Sequence, residues 1–215
     1  MRHTKQCLLA IKRDKTSQEA FDLCQGLDDS ILKGEPKTLG LLNKYDVRSP
    51  CIGDGCYQTM DDRVTKFMNR KNVQKFLLGG KSRFLKWNLF NYEVNQALVP
   101  STWFADDTQL IGEILKKGVK VVIYNGDNDY LVNSEATLEI LERLEWPGSS
   151  SFKQKKFQKV EGIGEGKQEG LLTFIKVKDS GHLVPLNQPK KALSILKNFL
   201  LKDFRLKENR SNNRI

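Results

Sequence analysis

The sequence predicts an α/β fold in which helices cover a mostly parallel sheet. Two observations carry this prediction: apolar helical stripes alternate with short runs of β-branched residues, and turn-rich loops follow those runs. Such alternation favours parallel strands over a helical bundle or a β-sandwich. The length of 215 residues is enough for one domain with a sizeable core and is short for two large domains.

The first part of the chain predicts helices and a connection. The apolar residues over 5–34 are interrupted by charges, so they indicate helix without defining one face. A turn-rich stretch over 35–54 leads to a helix over 61–78, which the polar residues at 69–72 would split in two. Two glycines then end that helix.

The second part predicts helices and strands in alternation. An apolar stripe marks a helix over 107–117, and the apolar run over 119–124 is typical of a buried strand. A helix over 134–144 with Ser134 as its N-cap, a strand over 171–177 and a helix over 187–202 follow. This order of elements predicts the parallel sheet.

The charge pattern argues against a nucleic-acid-binding module. The net charge is +10, but lysines occur in every segment. The densest run, 153–159, has no helical or strand-like apolar pattern, which indicates a dispersed solvated surface. Aromatic and basic residues do not alternate on a predicted sheet face. No apolar run approaches the ~20 residues of a membrane span, and the N-terminus does not resemble a signal peptide.

The four cysteines include one close pair. Two glycines between Cys51 and Cys56 allow a tight loop that suits a disulfide, with free buried thiols as the alternative. A zinc ribbon would need a second close pair, and Cys7 and Cys24 are too far apart to supply one, so we expect no metal. The pairing of those two cysteines is left open. A disulfide would indicate an oxidising compartment.

Two loops follow the predicted strands and carry the candidate site. The loop at 125–129 presents Asp127 and Asp129, and the loop at 178–182 presents His182. Parallel strands place such loops at one edge of the sheet, where an acid and a histidine are two members of a charge-assisted catalytic set. The residues alone do not decide this, because Asn, Gly and Asp are also ordinary turn formers.

The surrounding residues extend these loops into recognisable motifs. The string Val-Val-Ile-Tyr-Asn-Gly-Asp-Asn-Asp-Tyr-Leu-Val-Asn at 121–133 resembles the acid motif of the serine carboxypeptidases. Ser-Gly-His-Leu-Val-Pro at 180–185 resembles their histidine motif. Asn-Lys-Tyr-Asp-Val-Arg at 43–48, with Cys51 and Cys56 after it, is similar to their tyrosine-aspartate signature and close cysteine pair.

The resemblance, which covers roughly 42–201, implies the C-terminal portion of an α/β-hydrolase fold over 42–204. A helical segment over 1–41 would be a remnant of the family's cap region, and 205–215 a basic flexible tail. The implied activity is that of a serine-type carboxypeptidase, which releases C-terminal residues through an acyl-enzyme. Asp129 would be the orienting acid and His182 the general base, with Asp127 a structural loop carboxylate.

The resemblance also implies a substrate class, a cofactor requirement and a cellular location. It implies peptide or protein C-termini as substrates and no cofactor, while the charge pattern and the lack of a long apolar run argue against nucleic-acid and membrane partners. A vacuolar, lysosomal or secreted location is expected, and the oligomeric state is left open.

Departures from the family pattern matter as much as the matches. The chain has no Gly-x-Ser-x-Gly elbow, so we expect the nucleophile and the oxyanion donors to lie in a half that precedes Met1. Leu183 stands where the family usually has Met, and Val132 where several members have Cys, which makes both candidates for the substrate pocket. Phe90 replaces a cysteine that relatives often pair with the missing half.

Two hypotheses remain open at this point. The chain is either a truncated or fragmentary peptidase, or a catalytically inactive relative that binds peptides or a partner. The catalytic assignment predicts a distance of ~2.6–3.2 Å between a carboxylate oxygen of Asp129 and an imidazole nitrogen of His182, with the other nitrogen facing open space.

Overall fold

The computed structural model describes residues 2–32, 42–51, 58–79, 86–102, 107–202 and 206. The chain divides into two compact units. The helical unit comprises Met1–Leu42 and Pro50–Ala105, and the sheet unit comprises Asn43–Ser49 and Asp106–Ile215. The division predicted from the resemblance, at 41/42 and 204/205, stays a prediction.

The described part of the helical unit begins with two helices in place of the single segment expected over 5–34. Helix α1 (Arg2–Asp14) and helix α2 (Gln18–Leu32) are joined by a short turn, where Ser17 caps α2 by accepting a hydrogen bond from the Ala20 amide. The turn folds the chain back, and Cys7 and Cys24 form a disulfide across it. The sequence alone left this pairing open, because the two cysteines are 17 residues apart.

Three further helices complete the described part of this unit: α3 (Gln58–Met68), α4 (Lys71–Leu77) and α5 (Tyr92–Thr102). The predicted break near 69–72 is confirmed, because α3 and α4 are separate at Asn69. The Asn69 side chain accepts from the Trp87 amide at 2.8 Å and donates to its carbonyl at 2.8 Å. Helix α5 was not predicted.

The sheet unit contains the predicted helices and strands, together with a hairpin that the sequence did not indicate. Its elements are α6 (Thr108–Lys116), β1 (Val121–Gly126), α7 (Ser134–Glu142), α8 (Ser149–Gln154), β2 (Gln158–Val160), β3 (Gly164–Glu169), β4 (Leu172–Val177), α9 (Val184–Asn187) and α10 (Pro189–Ile195), which continues as a π-helical turn over Leu196–Leu200. Among the described residues, no helix is long and apolar enough to span a bilayer.

The expectation of a mostly parallel sheet is wrong for the described strands. The order is β1-β4-β3-β2, with β1 and β4 parallel, whereas β3 pairs antiparallel with both β4 and β2. Strands β2 and β3 form a tight hairpin, which reverses the chain at Gly162 in a left-handed conformation (φ 71°). The run 153–159 is therefore not a structureless surface: it holds the end of α8 and the start of β2.

Two boundaries also differ from the prediction. Strand β1 includes Asn125 and Gly126, which pair with Lys176 and Val177, so the following loop begins at Asp127. The N-cap of α7 is Asn133 rather than Ser134, because the Asn133 side chain accepts a hydrogen bond from the Ala136 amide in the first turn of the helix.

Strand β4 lies at the centre of the core. Leu172 and Phe174 point to one face and Ile175 and Val177 to the other, and all four are fully buried. Residues of α6, α7 and α8 pack on the first face, and residues of β2, α9, α10 and the π-helical turn pack on the second. Burial of both faces fixes the carboxyl end of β4, where the histidine loop begins.

Candidate active site

The loops after β1 and β4 are hydrogen-bonded to each other. The Asp127 amide donates to the Val177 carbonyl at 3.1 Å, and the Asn128 amide donates to the Ser180 carbonyl at 2.9 Å. The Ser180 amide donates in turn to the Asp127 carboxylate at 3.2 Å. Asp127 therefore links the two loops, which is what a structural loop carboxylate would do.

Two glycines permit this close approach. A Cβ atom at Gly126 would overlap the carbonyl oxygens of Ser180 and Gly181. A Cβ atom at Gly181 would overlap the Tyr45 carbonyl oxygen and lie 2.7 Å from the Cβ of Asp46. The loops can meet at these distances only because both positions lack a side chain.

The structure brings Asp129 and His182 together at this edge of the sheet. The Nδ1 atom of His182 lies 2.9 Å from Oδ2 of Asp129, inside the expected range. Oδ1 of Asp129 accepts a hydrogen bond from the Val132 amide at 3.1 Å. Both carboxylate oxygens are thus hydrogen-bonded, which offsets the cost of burying the group.

The two side chains differ in their access to solvent. The Asp129 side chain is 2% exposed and the His182 side chain is 32% exposed. Nε2 of His182 has no hydrogen-bond partner among the residues that the structure describes. When the neutral imidazole donates its Nδ1 hydrogen to Asp129, the lone pair on Nε2 is available to accept a proton.

A third segment, Asn43–Ser49, contacts both loops, and we call it the strap. The Lys44 carbonyl accepts from the amides of Tyr130 and Leu131, at 3.1 and 3.0 Å. The Tyr45 carbonyl accepts from the His182 amide at 2.7 Å. Sequence reasoning singled out 43–48 only as a family landmark and missed these contacts, because backbone hydrogen bonds leave no signal in the side-chain pattern.

An ion pair lies within the strap. Arg48 donates to both carboxylate oxygens of Asp46, through Nε at 2.8 Å and Nη2 at 2.6 Å. These side-chain hydrogen bonds lower the pKa of Asp46 and raise the pKa of Arg48. The nearby carboxylates of Asp127 and Asp179 raise the Arg48 pKa further. Both members of the pair are therefore charged, and Arg48 also interacts favourably with the acidic loops.

The remaining predicted site residues have different surroundings. Val132 is 46% exposed, and its carbonyl accepts from the buried Asn125 side chain at 2.9 Å. Leu183 is half-buried and immediately precedes α9. Their roles in a substrate pocket stay predictions. Phe90 is 62% exposed, and its correspondence to a cysteine of relatives stays a prediction.

The predicted disulfide between Cys51 and Cys56 can be checked at only one of its two cysteines. Cys51 is disulfide-bonded, but Cys56, its predicted partner, lies outside the described residues, so the pairing stays a prediction. Within the described residues, no cluster of three or more His, Cys, Asp or Glu side chains could hold a metal ion.

Comparison with known proteins gives a consistent result over most of the chain. The family model described as serine carboxypeptidase matches residues 2–202. Serine carboxypeptidase-like 49 of Arabidopsis thaliana is 32% identical over 90% of this chain and 37% of its own length. A serine carboxypeptidase-like protein of Oryza sativa subsp. japonica is 33% identical, over 88% of this chain and 44% of its own length.

The fold agrees with these sequence matches. The structure of Kex1(delta)p, a prohormone-processing carboxypeptidase from Saccharomyces cerevisiae, superposes with a TM-score of 0.66 at 19% identity, over 91% of this chain and 44% of that one. The chain thus spans less than half the length of these relatives. Because this family model matches residues 2–202, almost the whole chain, the chain belongs to the serine carboxypeptidase family.

Proposed function

We propose that this chain provides the acid and the histidine of a serine-type carboxypeptidase that acts on peptide or protein C-termini. Asp129 is the orienting acid and His182 the general base. The observation that carries the proposal is the 2.9 Å hydrogen bond between the buried Asp129 carboxylate and Nδ1 of a partly exposed histidine. Family membership supports peptides as the substrate class.

The geometry supports the following steps. Nε2 of His182 takes the proton of a serine hydroxyl as the serine oxygen bonds to the carbonyl carbon of the last peptide linkage. The imidazolium, stabilised by Asp129, returns that proton to the leaving amine as the C–N bond breaks. A water molecule then hydrolyses the acyl-enzyme with the same histidine as base.

The nucleophile is the part of the set that this sequence does not identify. No serine lies in a Gly-x-Ser-x-Gly elbow. Ser180, which lies on the histidine loop, is fully buried, and its hydroxyl donates to the Gly181 carbonyl at 3.2 Å rather than to His182. We infer that the serine is supplied by residues outside this sequence.

The missing elbow also favours a second function, a catalytically inactive relative that binds peptides or a partner protein. The two functions differ in what the histidine must do. A general base needs a fixed tautomer with Nε2 free, whereas a binding surface imposes no such requirement.

The tautomer can be measured on the chain itself. Two-bond ¹H–¹⁵N NMR spectra at a pH where His182 is neutral should show the Nδ1–H tautomer. Asp129→Asn should shift it towards Nε2–H, because an amide can donate to Nδ1. Glu139→Gln, an exposed acid of the same unit, is the control and should leave the tautomer unchanged. An unchanged tautomer in D129N would contradict the proposal.

Activity provides the second test. The purified 215-residue chain should hydrolyse no peptide. In a chimera in which this chain replaces the matching part of serine carboxypeptidase-like 49, hydrolysis should appear, and D129N should lower kcat by about 10⁴-fold. Turnover by the isolated chain that is lost in Ser180→Ala would contradict the inference about the nucleophile. A folded chimera that binds peptides without cleaving them would favour the inactive relative.

We infer a secretory destination, vacuolar, lysosomal or extracellular, from the Cys7–Cys24 disulfide, because such bonds persist in oxidising compartments. Alkylation of free thiols in fresh cell extracts, followed by mass spectrometry, should find both cysteines protected. Quantitative alkylation of both would place the protein in a reducing compartment.

A further inference from the structure

We propose that Tyr45 is a positioning residue for His182 and that the strap fixes the acid and the histidine relative to each other. This inference rests on the proposed function, since it concerns how the general base is held. It assigns a role to a segment that contributes no group to the chemistry.

The first argument concerns the backbone. The strap accepts hydrogen bonds from both sides of the site: Lys44 from the turn that follows Asp129, and Tyr45 from His182 itself. Because consecutive carbonyls make these bonds, any shift of one loop relative to the other must break at least one of them. The strap thus sets the separation across which the 2.9 Å contact forms.

The second argument concerns the imidazole ring. Asp129 holds only Nδ1, and the His182 side chain is 32% exposed, so its ring has room to turn about the Cβ–Cγ bond. The Tyr45 ring lies beside it, with centroids 5.6 Å apart and planes tilted by 53°. An aromatic ring at this distance restricts the imidazole to orientations that keep Nδ1 towards Asp129.

The third argument is that Tyr45 is itself held in place. The Tyr45 amide donates to the side chain of the buried Asn43 at 3.0 Å. Nζ of Lys44 lies 5.6 Å from the centre of the Tyr45 ring, within the range of a cation–π contact. A positioning group must itself be held in place, and these contacts engage both the backbone and the ring of Tyr45.

The test uses three variants of the full chain and the NMR signals of His182. Tyr45→Phe keeps the ring and should leave the Nδ1–H tautomer and the imidazole shifts close to those of the parent chain. Tyr45→Leu keeps bulk without the ring, and Tyr45→Ala removes both. In these two variants, the Nδ1–H signal shared with Asp129 should be lost and both tautomers should be populated.

Phe157→Ala is the matched control. Phe157 is also half-buried and also contacts an aromatic ring, that of Phe174, at 6.0 Å between centroids, but it makes no contact with His182. F157A should lower the free energy of unfolding without changing the His182 signals. A general loss of stability therefore cannot imitate the expected result.

The outcomes separate this proposal from the proposed function. If the parent chain lacks the Nδ1–H tautomer, the proposed function fails. If the parent chain and D129N behave as expected but Y45L and Y45A keep the parental signal, only the positioning role is overturned. Loss of the signal in Y45F as well would move the role from the ring to the hydroxyl and would also overturn the proposal.

Discussion

The helical unit and the sheet unit bury apolar side chains to very different extents. Among the described residues of the helical unit, the buried apolar side chains are Cys7, Ala10 and Ala20, and Phe76 is 86% exposed. In the sheet unit, two clusters of large apolar residues enclose β4, with Phe152 and Phe174 fully buried.

This difference indicates two sources of stability. The sheet unit has enough buried apolar area to be stabilised by packing. The described helices of the other unit bury mainly small side chains, and for α1 and α2 the covalent link between Cys7 and Cys24 carries more of the stability. The candidate site belongs entirely to the unit with the packed core, which suits a site that depends on fixed distances.

The largest expected effect comes from Phe174→Ala. Removing a fully buried phenyl ring leaves a cavity and should lower the free energy of unfolding of the sheet unit by about 3–5 kcal/mol. Hydrogen exchange of β3 and β4 measures the change. Phe76→Ala, at a highly exposed site, is the control and should change stability by less than about 0.5 kcal/mol. Equal effects of the two substitutions would remove the contrast between the units.

The next effect concerns the disulfide. The double substitution Cys7→Ser and Cys24→Ser should destabilise α1 and α2 by about 3 kcal/mol, because the bond closes a loop of moderate length in the unfolded chain. Hydrogen exchange should accelerate in these helices and stay unchanged in β1 and β4. Faster exchange in the strands as well would mean that the two units unfold together.

The smallest effect is a pH dependence within the strap. The Asp46 pKa is lower in the folded state than its ordinary value of 3.8, so its stabilising contribution is present above that value and is lost as the pH falls through the folded pKa. Asp46→Asn should therefore lower the free energy of unfolding at neutral pH by about 1–2 kcal/mol.

The difference between Asp46→Asn and the parent chain should shrink from about pH 5 downwards. Denaturant unfolding at pH 7, 5 and 3 measures it, with Glu139→Gln as a control for the loss of an exposed acid. A difference that is as large at pH 3 as at pH 7 would show that Asp46 stabilises the strap by packing rather than by charge.

The sequence predicts α6, β1, α7 and β4 within a few residues because their periodic apolar stripes face a core. The hairpin of β2 and β3 escaped prediction because burial there does not follow hydrophobicity. Lys167 of β3 is only 3% exposed, and its charge is paired with Glu142 at 2.5 Å and lies 4.9 Å from the centre of the Phe152 ring. From the sequence, a lysine is expected to be exposed to solvent, and only the tertiary structure shows the partners that allow this one to be buried.

The candidate site could also be predicted only in part from the sequence. Asp129 and His182 could be found because their side chains carry the chemistry and their motifs are distinctive. The strap could not, since it acts through the carbonyls of Lys44 and Tyr45, groups that every residue possesses. The pairing of Cys7 and Cys24 had to be left open, because the sequence alone does not show the proximity that a helical hairpin creates.

The strap also has a consequence for the order in which the protein folds. Its partners, Tyr130, Leu131 and His182, all lie far along the chain, so their hydrogen bonds close long loops. The bond from His182 cannot form before β4 and the loop after it have been synthesised. Helix α7 can form earlier, but strand β1 and the contact between Tyr45 and His182 must wait for β4. We therefore expect Asp129 and His182 to acquire their geometry in the last stage of folding. A nascent or partly folded chain would carry both residues without the hydrogen bond between them.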